Sequence, residues 1–148
     1  MPLETTTQTQ LTFANTVLGI SDKFLDTLRA AVSNEDISQA KTVTINFRDS
    51  SYSTEAGGFH PIEVCFTKLN GSHCHLLYIT DFSFSGGHYP ELARDLDFDI
   101  GNNALFTRYS GWQCLDRNDV REMYKLWEGN FLAYLDMDSF DEIKVECV

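Results

Sequence analysis

Apolar positions Ile20, Phe24, Leu28 and Val32 recur at helical spacing, Leu25 and Ala31 widen the stripe, and Ser21 stands where a side chain caps a first turn. The spacing predicts a helix over about 21–33. The period then changes to two. Val43, Ile45 and Phe47 alternate with Thr42, Thr44 and Asn46, and Ile62, Val64 and Phe66 repeat the pattern, so both runs read as half-buried strands. Asn70-Gly71 is a hairpin signal that leads into a third strand, roughly His73 to Thr80. Leu96, Phe98 and Ile100 alternate with Asp95, Asp97 and Asp99, and Leu105 to Tyr109 returns past Gly101-Asn102-Asn103. A second helical stripe, Val120, Met123, Tyr124, Trp127, Phe131 and Leu135, opens behind Asp116 as N-cap. Gly129 interrupts it at a cost of roughly 1 kcal/mol, which packing by the flanking aromatics would offset. Glu142 to Cys147 reads as one more strand.

Helix, several strands, helix is the order of an α+β domain: an antiparallel twisted sheet of five to seven strands flanked by N-terminal and C-terminal helices. Residues 1–12, rich in Thr and Gln, offer little to bury and read as a flexible arm or an edge segment that orders only on contact, which leaves 13–148 as a single domain.

Length and composition agree with one core. A chain of 148 residues that is 43% hydrophobic has enough to bury, and no run approaches the roughly 20 apolar residues of a membrane helix. The start, MPLETTTQTQ, lacks the basic and apolar regions of a secretory signal, so a cytoplasmic protein without membrane attachment is expected. Cys65, Cys74, Cys114 and Cys147 are widely spaced with no CxxC pair, and read as reduced thiols. A net charge of -11 repels phosphate backbones, which argues against direct nucleic-acid binding. Asp136, Asp138, Asp141, Glu142 and Glu146 crowd the C-terminal end, where they serve solubility or steer a basic protein partner.

The middle of the chain echoes itself. In TINFRDSSYSTEAGGFHP and LLYITDFSFSGGHYP a strand ends at an Asp, and Ser, an aromatic, Ser, a Gly-Gly pair and Pro follow. Asp49, Ser51, Tyr52, Ser53, Gly57, Gly58 and Pro61 thereby match Asp81, Ser83, Phe84, Ser85, Gly86, Gly87 and Pro90. Paired glycines open backbone angles closed to other residues, and Pro fixes the chain as it re-enters regular structure. If both strands run the same way in one sheet, the two turns share an edge and bring Tyr52, His60, His88 and Tyr89 around one concavity; otherwise they are structural turns covering the end of the core.

No strong catalytic signature is present: there is no GxSxG, phosphate loop, HExxH or dinucleotide fingerprint. Asp49, Asp81, His60 and His88 offer acid and base groups, and Ser53 or Ser85 a nucleophile, should they converge. His73 and His75 share a strand face without a third metal ligand at useful spacing. DLDFDIGNN superficially resembles a calcium loop but carries Ile100 and Phe106 where Gly and an acid are required, so three acids on the outer face of a strand explain it better. Neither a metal nor a cofactor is expected.

The strings INFRDSSYSTEAGGFHPIEV and LLYITDFSFSGGHYPELARDLDFD resemble a family of small uncharacterised bacterial proteins found in Vibrio and related bacteria, often in mobile islands. The resemblance is strong over about 40–100 and implies no activity, cofactor or catalytic residue. The layout of terminal helices around an antiparallel sheet, with strong negative charge, is also similar in class to the mitochondrial acidic matrix protein family, whose members form trimeric rings and bind many partners. The leading expectation is a non-catalytic protein-interaction module whose surface comprises Asp49, Tyr52, Gly57, Gly58, His60, Asp81, Gly86, Gly87, His88 and Tyr89. The alternative is a small-ligand binder or enzyme with a pocket at the same turns. A nucleic-acid mimic is the weaker third, and the oligomeric state stays open.

Overall fold

The computed structural model describes residues 10–148. Among them the order is β1 (Thr12–Phe13), α1 (Asp22–Val32), β2 (Thr42–Arg48), β3 (Ile62–Asn70), β4 (His73–Ser85), β5 (Glu91–Asp99), β6 (Ala104–Thr107), β7 (Gly111–Cys114), α2 (Asn118–Asp136) and β8 (Glu142–Cys147). Seven strands form an antiparallel path, β7-β6-β5-β4-β3-β2-β8, and β1 joins in parallel against the start of β4. The fold is α+β as expected, with eight strands in place of five to seven. The added β1 and β7, two and four residues long, are too short for alternation to register. Of the expected arm, residues 1–9 lie outside the described residues, while Leu11 is buried and Thr12 opens β1.

Register lines the core residues into a row. Ile45 faces Val64, Val64 faces Ile79, Ile79 faces Phe98 and Phe98 faces Leu105, all buried. Both helices cover this face. Phe24 of α1 meets Phe131 of α2 at 5.7 Å, and Phe131 meets Phe47 of β2 at 5.1 Å. Each large ring buried here stabilises by about 1.5–3 kcal/mol relative to exposure.

Local chemistry fixes the helix ends. Ser21 Oγ accepts from Phe24 N at 3.1 Å, the cap expected from sequence. The backbone N–H of Ser21 donates to Glu128 Oε2 at 3.1 Å, so a buried acid of α2 holds the start of α1. Asp116 does not cap α2. The N-cap is Arg117, without a side-chain cap bond, and Asp116 instead pairs with Arg121 at 2.7 Å. Gly129 is also simpler than expected: no atom lies within 4 Å of where its Cβ would stand, and Trp127 and Phe131 stack on each other at 5.2 Å rather than against it.

Two further expectations are corrected. β4 does not stop at Thr80 but runs to Ser85, because Ser-Phe-Ser continues the period-two alternation and pairs with Glu91–Ala93 of β5. The acids of β5 do not share an exposed outer face. Asp97 is 4% exposed, held by Thr80 Oγ1 at 3.0 Å and Arg94 Nη1 at 3.2 Å. All four cysteines are free, and no described helix is long and apolar enough to cross a membrane.

Candidate functional site

β2 and β4 are both antiparallel to β3, so they run the same way, and the two echoed segments leave the sheet at one end. Tyr52 and Phe84, matched in the echo, stack with ring centroids 5.0 Å apart, and the amide N–H of Phe84 donates to Tyr52 Oη at 3.2 Å.

The first segment is a built loop. Asp49 Oδ1 accepts from Ser51 N at 3.0 Å and from Ser51 Oγ, and its Oδ2 accepts from Phe59 N at 3.1 Å. These bonds, that of the Ser51 hydroxyl foremost, hold the Asp49 carboxyl below its ordinary pKa. The close return requires glycine at 58, where φ is +125° and a Cβ would stand 2.8 Å from Asp49 Oδ2 and 3.1 Å from Tyr52 Cα. The loop thereby delivers Phe59 and His60 to the sheet end.

His60 meets Asp81 there. Its Nδ1 donates to Asp81 Oδ1 at 2.7 Å, and the Tyr52 ring lies 5.4 Å from the imidazole. Asp81 is not a strand terminus, as the echo suggested. It sits within β4 at a bulge, where Asp81 faces Leu96 and Phe82 faces Arg94, leaving Asp95 of β5 as the extra residue. Bulges re-aim side chains, and Asp95 Oδ2 comes within 3.8 Å of His60 Nδ1. The hydrogen bond to Asp81 raises the His60 pKa; burial opposes this, the charges of Asp81 and Asp95 add to it, and Arg108 subtracts.

Helix α2 closes the site. Trp127 Nε1 donates to Asp81 Oδ2 at 3.1 Å. Arg108 Nε lies 3.6 Å from Asp95 Oδ1, while its Nη atoms donate to the carbonyls of Ser83 and Phe84 at 3.2 and 3.3 Å. Between the loop and α2 lies a cleft of about 360 Å³ whose lining combines His60, Asp81 and Asn130 with the rings of Phe59, Tyr134 and Phe140. A larger cleft of about 710 Å³ lies between the end of α1 and the β3–β4 turn, but its cations, Arg29 and Lys68, are committed to the carbonyls of Leu11 and Ile37.

Of the residues expected at the site, Gly58, His60 and Asp81 line the smaller cleft, with Tyr52 behind His60 and Asp49 and Gly57 shaping the loop. Gly86, Gly87, His88 and Tyr89 form an exposed turn beyond the cleft lining; Tyr89 is 90% exposed. Among the possible catalytic groups, Ser53 Oγ is bound to Ala56 N and Ser85 is exposed, so neither hydroxyl joins His60. Trp127, Asn130, Asp95 and Arg108 were not read as site residues. Trp127 belongs to the core stripe by period, and nothing in its spacing shows that its indole N–H reaches a carboxylate 46 positions earlier. Among the described residues, His60, Asp81 and Asp95 form a convergent metal-type group, whereas His73 and His75 pack ring to ring at 5.3 Å without a third ligand.

Two solved structures cover all of their own length on this chain. One is the hypothetical protein VC0508 from the Vibrio cholerae VSP-II pathogenicity island, 39% identical over 92% of the chain with a TM-score of 0.83. The other is the conserved hypothetical protein VC1805 from pathogenicity island VPI-2 of Vibrio cholerae, 42% identical over 91% of the chain with a TM-score of 0.81, which shares structural homology with the human P32 protein. P32 is the mitochondrial acidic matrix protein, so the expected fold likeness holds. No curated protein matches. The family model described as protein of unknown function, DUF2787, matches residues 22–146, well beyond the 40–100 stretch that carried the resemblance. The chain therefore belongs to the DUF2787 family of proteins of unknown function.

Proposed function

We propose that the chain is a small-ligand-binding protein whose site is the cleft between the 49–61 loop and α2. One observation carries this reading: the His60, Asp81 and Trp127 hydrogen-bond chain lines a concave pocket rich in aromatic rings, a few polar groups set among apolar ones. The pocket suits a planar or branched apolar group that ends in a hydrogen-bonding atom. Its described lining offers His60 and Asp81 for recognition and proton exchange. A thermal-shift screen of aromatic and heteroaromatic fragments tests it, because a ligand bound only to the folded state raises the melting temperature. Hits are expected to lose their shift in His60→Gln and Asn130→Ala; shifts indifferent to both variants would sink the reading.

A second reading, protein interaction, has an observation of its own. Met123, Leu126 and Tyr134 leave apolar area exposed on one face of α2, interrupted by Asn130 and extended by Met137 at the C-cap, with Leu126 68% and Met137 67% exposed. Glu122 and Asp138 flank it, which fits a basic amphipathic segment of a partner protein. Saturable binding of a labelled basic amphipathic peptide, weakened by Leu126→Glu, is expected from this reading; its absence would remove it.

A further inference from the structure

We propose that His60, Asp81 and Asp95 form a divalent-cation site beside the cleft. Their ligand atoms all lie within 4.8 Å of one another, with His60 Nδ1 2.7 Å from Asp81 Oδ1 and 3.8 Å from Asp95 Oδ2. Ligands bonded to one first-row ion at about 2.0–2.2 Å stand roughly 3–3.5 Å apart. The two His60 distances bracket that spacing, so an ion would open the His60–Asp81 pair and draw Asp95 in, with the Nδ1 proton released to solvent as the ion binds.

The orientation of the two carboxylates makes this more than a cluster of acids. Each uses one oxygen on an outer donor and turns the other inward. Asp81 gives Oδ2 to the Trp127 indole and keeps Oδ1 toward His60. Asp95 sets Oδ1 3.6 Å from Arg108 Nε, an ion pair, and keeps Oδ2 toward His60. An outer hydrogen bond on Asp81 and an outer ion pair on Asp95 are the kind of supporting layer that orients the ligands of protein metal sites. The supports come from separate elements: Trp127 from α2, and Arg108 from the segment after β6, whose Nη atoms are anchored on the carbonyls of Ser83 and Phe84.

The donor set selects the ion. One imidazole and two carboxylates suit Zn²⁺ or Mn²⁺ better than the all-oxygen sites of Ca²⁺ and Mg²⁺. His60 and Asp81 line the cleft, so an ion there would present its open positions to a ligand inside it. The proposal thus deepens the small-ligand reading, naming a ligand class with a metal-binding donor. Asp95 is not part of the cleft lining, so its substitution separates the two.

The experiment is calorimetric titration of chelator-stripped full-length protein with Zn²⁺ and, separately, Mn²⁺, with Mn²⁺ binding checked by its electron paramagnetic resonance signal. One ion per chain is expected. Asp95→Asn and His60→Gln should each weaken it at least about tenfold, while the His73→Gln, His75→Gln double variant leaves it unchanged. Circular dichroism confirms that each variant is folded, and Asp95→Glu, which keeps a carboxylate, should retain more affinity than Asp95→Asn. Metal-independent fragments should still bind Asp95→Asn, which distinguishes loss of the ion from loss of the cleft. The proposal is overturned if wild type shows no saturable binding, or if folded Asp95→Asn binds as tightly as wild type.

Discussion

The indole N–H of Trp127 donates to Asp81 Oδ2 at 3.1 Å and fastens the middle of α2 to β4 where it faces the β5 bulge. Trp127→Phe keeps an aromatic ring against Phe131 but leaves that carboxylate oxygen without its donor. Loss of one partner from a part-buried group costs about 1–3 kcal/mol. Denaturant unfolding should show a destabilisation in that range, with the His60 titration still displaced upward, because the bond to Asp81 Oδ1 survives.

The 49–61 loop depends on glycine unequally. At Gly58 a Cβ would collide with Asp49 Oδ2 and Tyr52 Cα, while at Gly57, φ +70°, the space is open. Gly57→Ala should cost about 1–2 kcal/mol for a left-handed non-glycine residue, and Gly58→Ala more than that, since strain and collision add. Equal melting temperatures for the two variants would show that Asp49 does not shape the loop as described.

Gly129 gives the opposite sign. It lies within α2 with nothing near its missing Cβ, so Gly129→Ala should stabilise by about 0.5–1 kcal/mol through helix propensity alone. The check is a rise in denaturant midpoint at unchanged slope.

The raised pKa of His60 has a defined consequence for stability in chelated protein. Its partners Asp81 and Asp95 favour the imidazolium in the folded state, with Arg108 and burial opposing. The folded state therefore binds the proton more tightly than the unfolded chain. This contribution is full below the ordinary histidine value of about 6.5 and is lost as pH rises through the higher folded value. The stability difference between wild type and His60→Gln should shrink from about pH 5.5 to about pH 8.5. A difference that grows over this range would contradict the ion pair.

Much of the frame was legible from periodicity. Ile20, Phe24, Leu28 and Val32 marked α1 because three of the four fill one buried stripe, and Val43, Ile45 and Phe47 marked β2 because all three face the core. The echo left open whether its two strands run the same way; they do, so both segments leave the sheet at one end, but the echo misread the second as a turn from Asp81 onward. Ser-Phe-Ser alternates like a strand and continues β4, which carries His88 and Tyr89 away into solvent. The site was half legible for a related reason. His60 and Asp81 carried a local signal, whereas Asp95 acquires its role from a bulge and Trp127 from helix packing, and neither is a property of nearby sequence. Asp97 likewise looked like a solvent-facing acid and is buried because Thr80 satisfies it from the neighbouring strand and Arg94 from its own.

The central claim is that a small ligand occupies the cleft between the 49–61 loop and α2. The chain has two tryptophans, Trp127 at the cleft and Trp112, 52% exposed, on β7. Their two indole N–H signals in a ¹H–¹⁵N spectrum therefore provide a site and a control. On titration with aromatic fragments that raise the melting temperature, the Trp127 signal should move saturably while that of Trp112 stays fixed, and the movement should vanish in His60→Gln. If stabilising fragments leave the Trp127 signal in place, the cleft is not the binding site and the account fails.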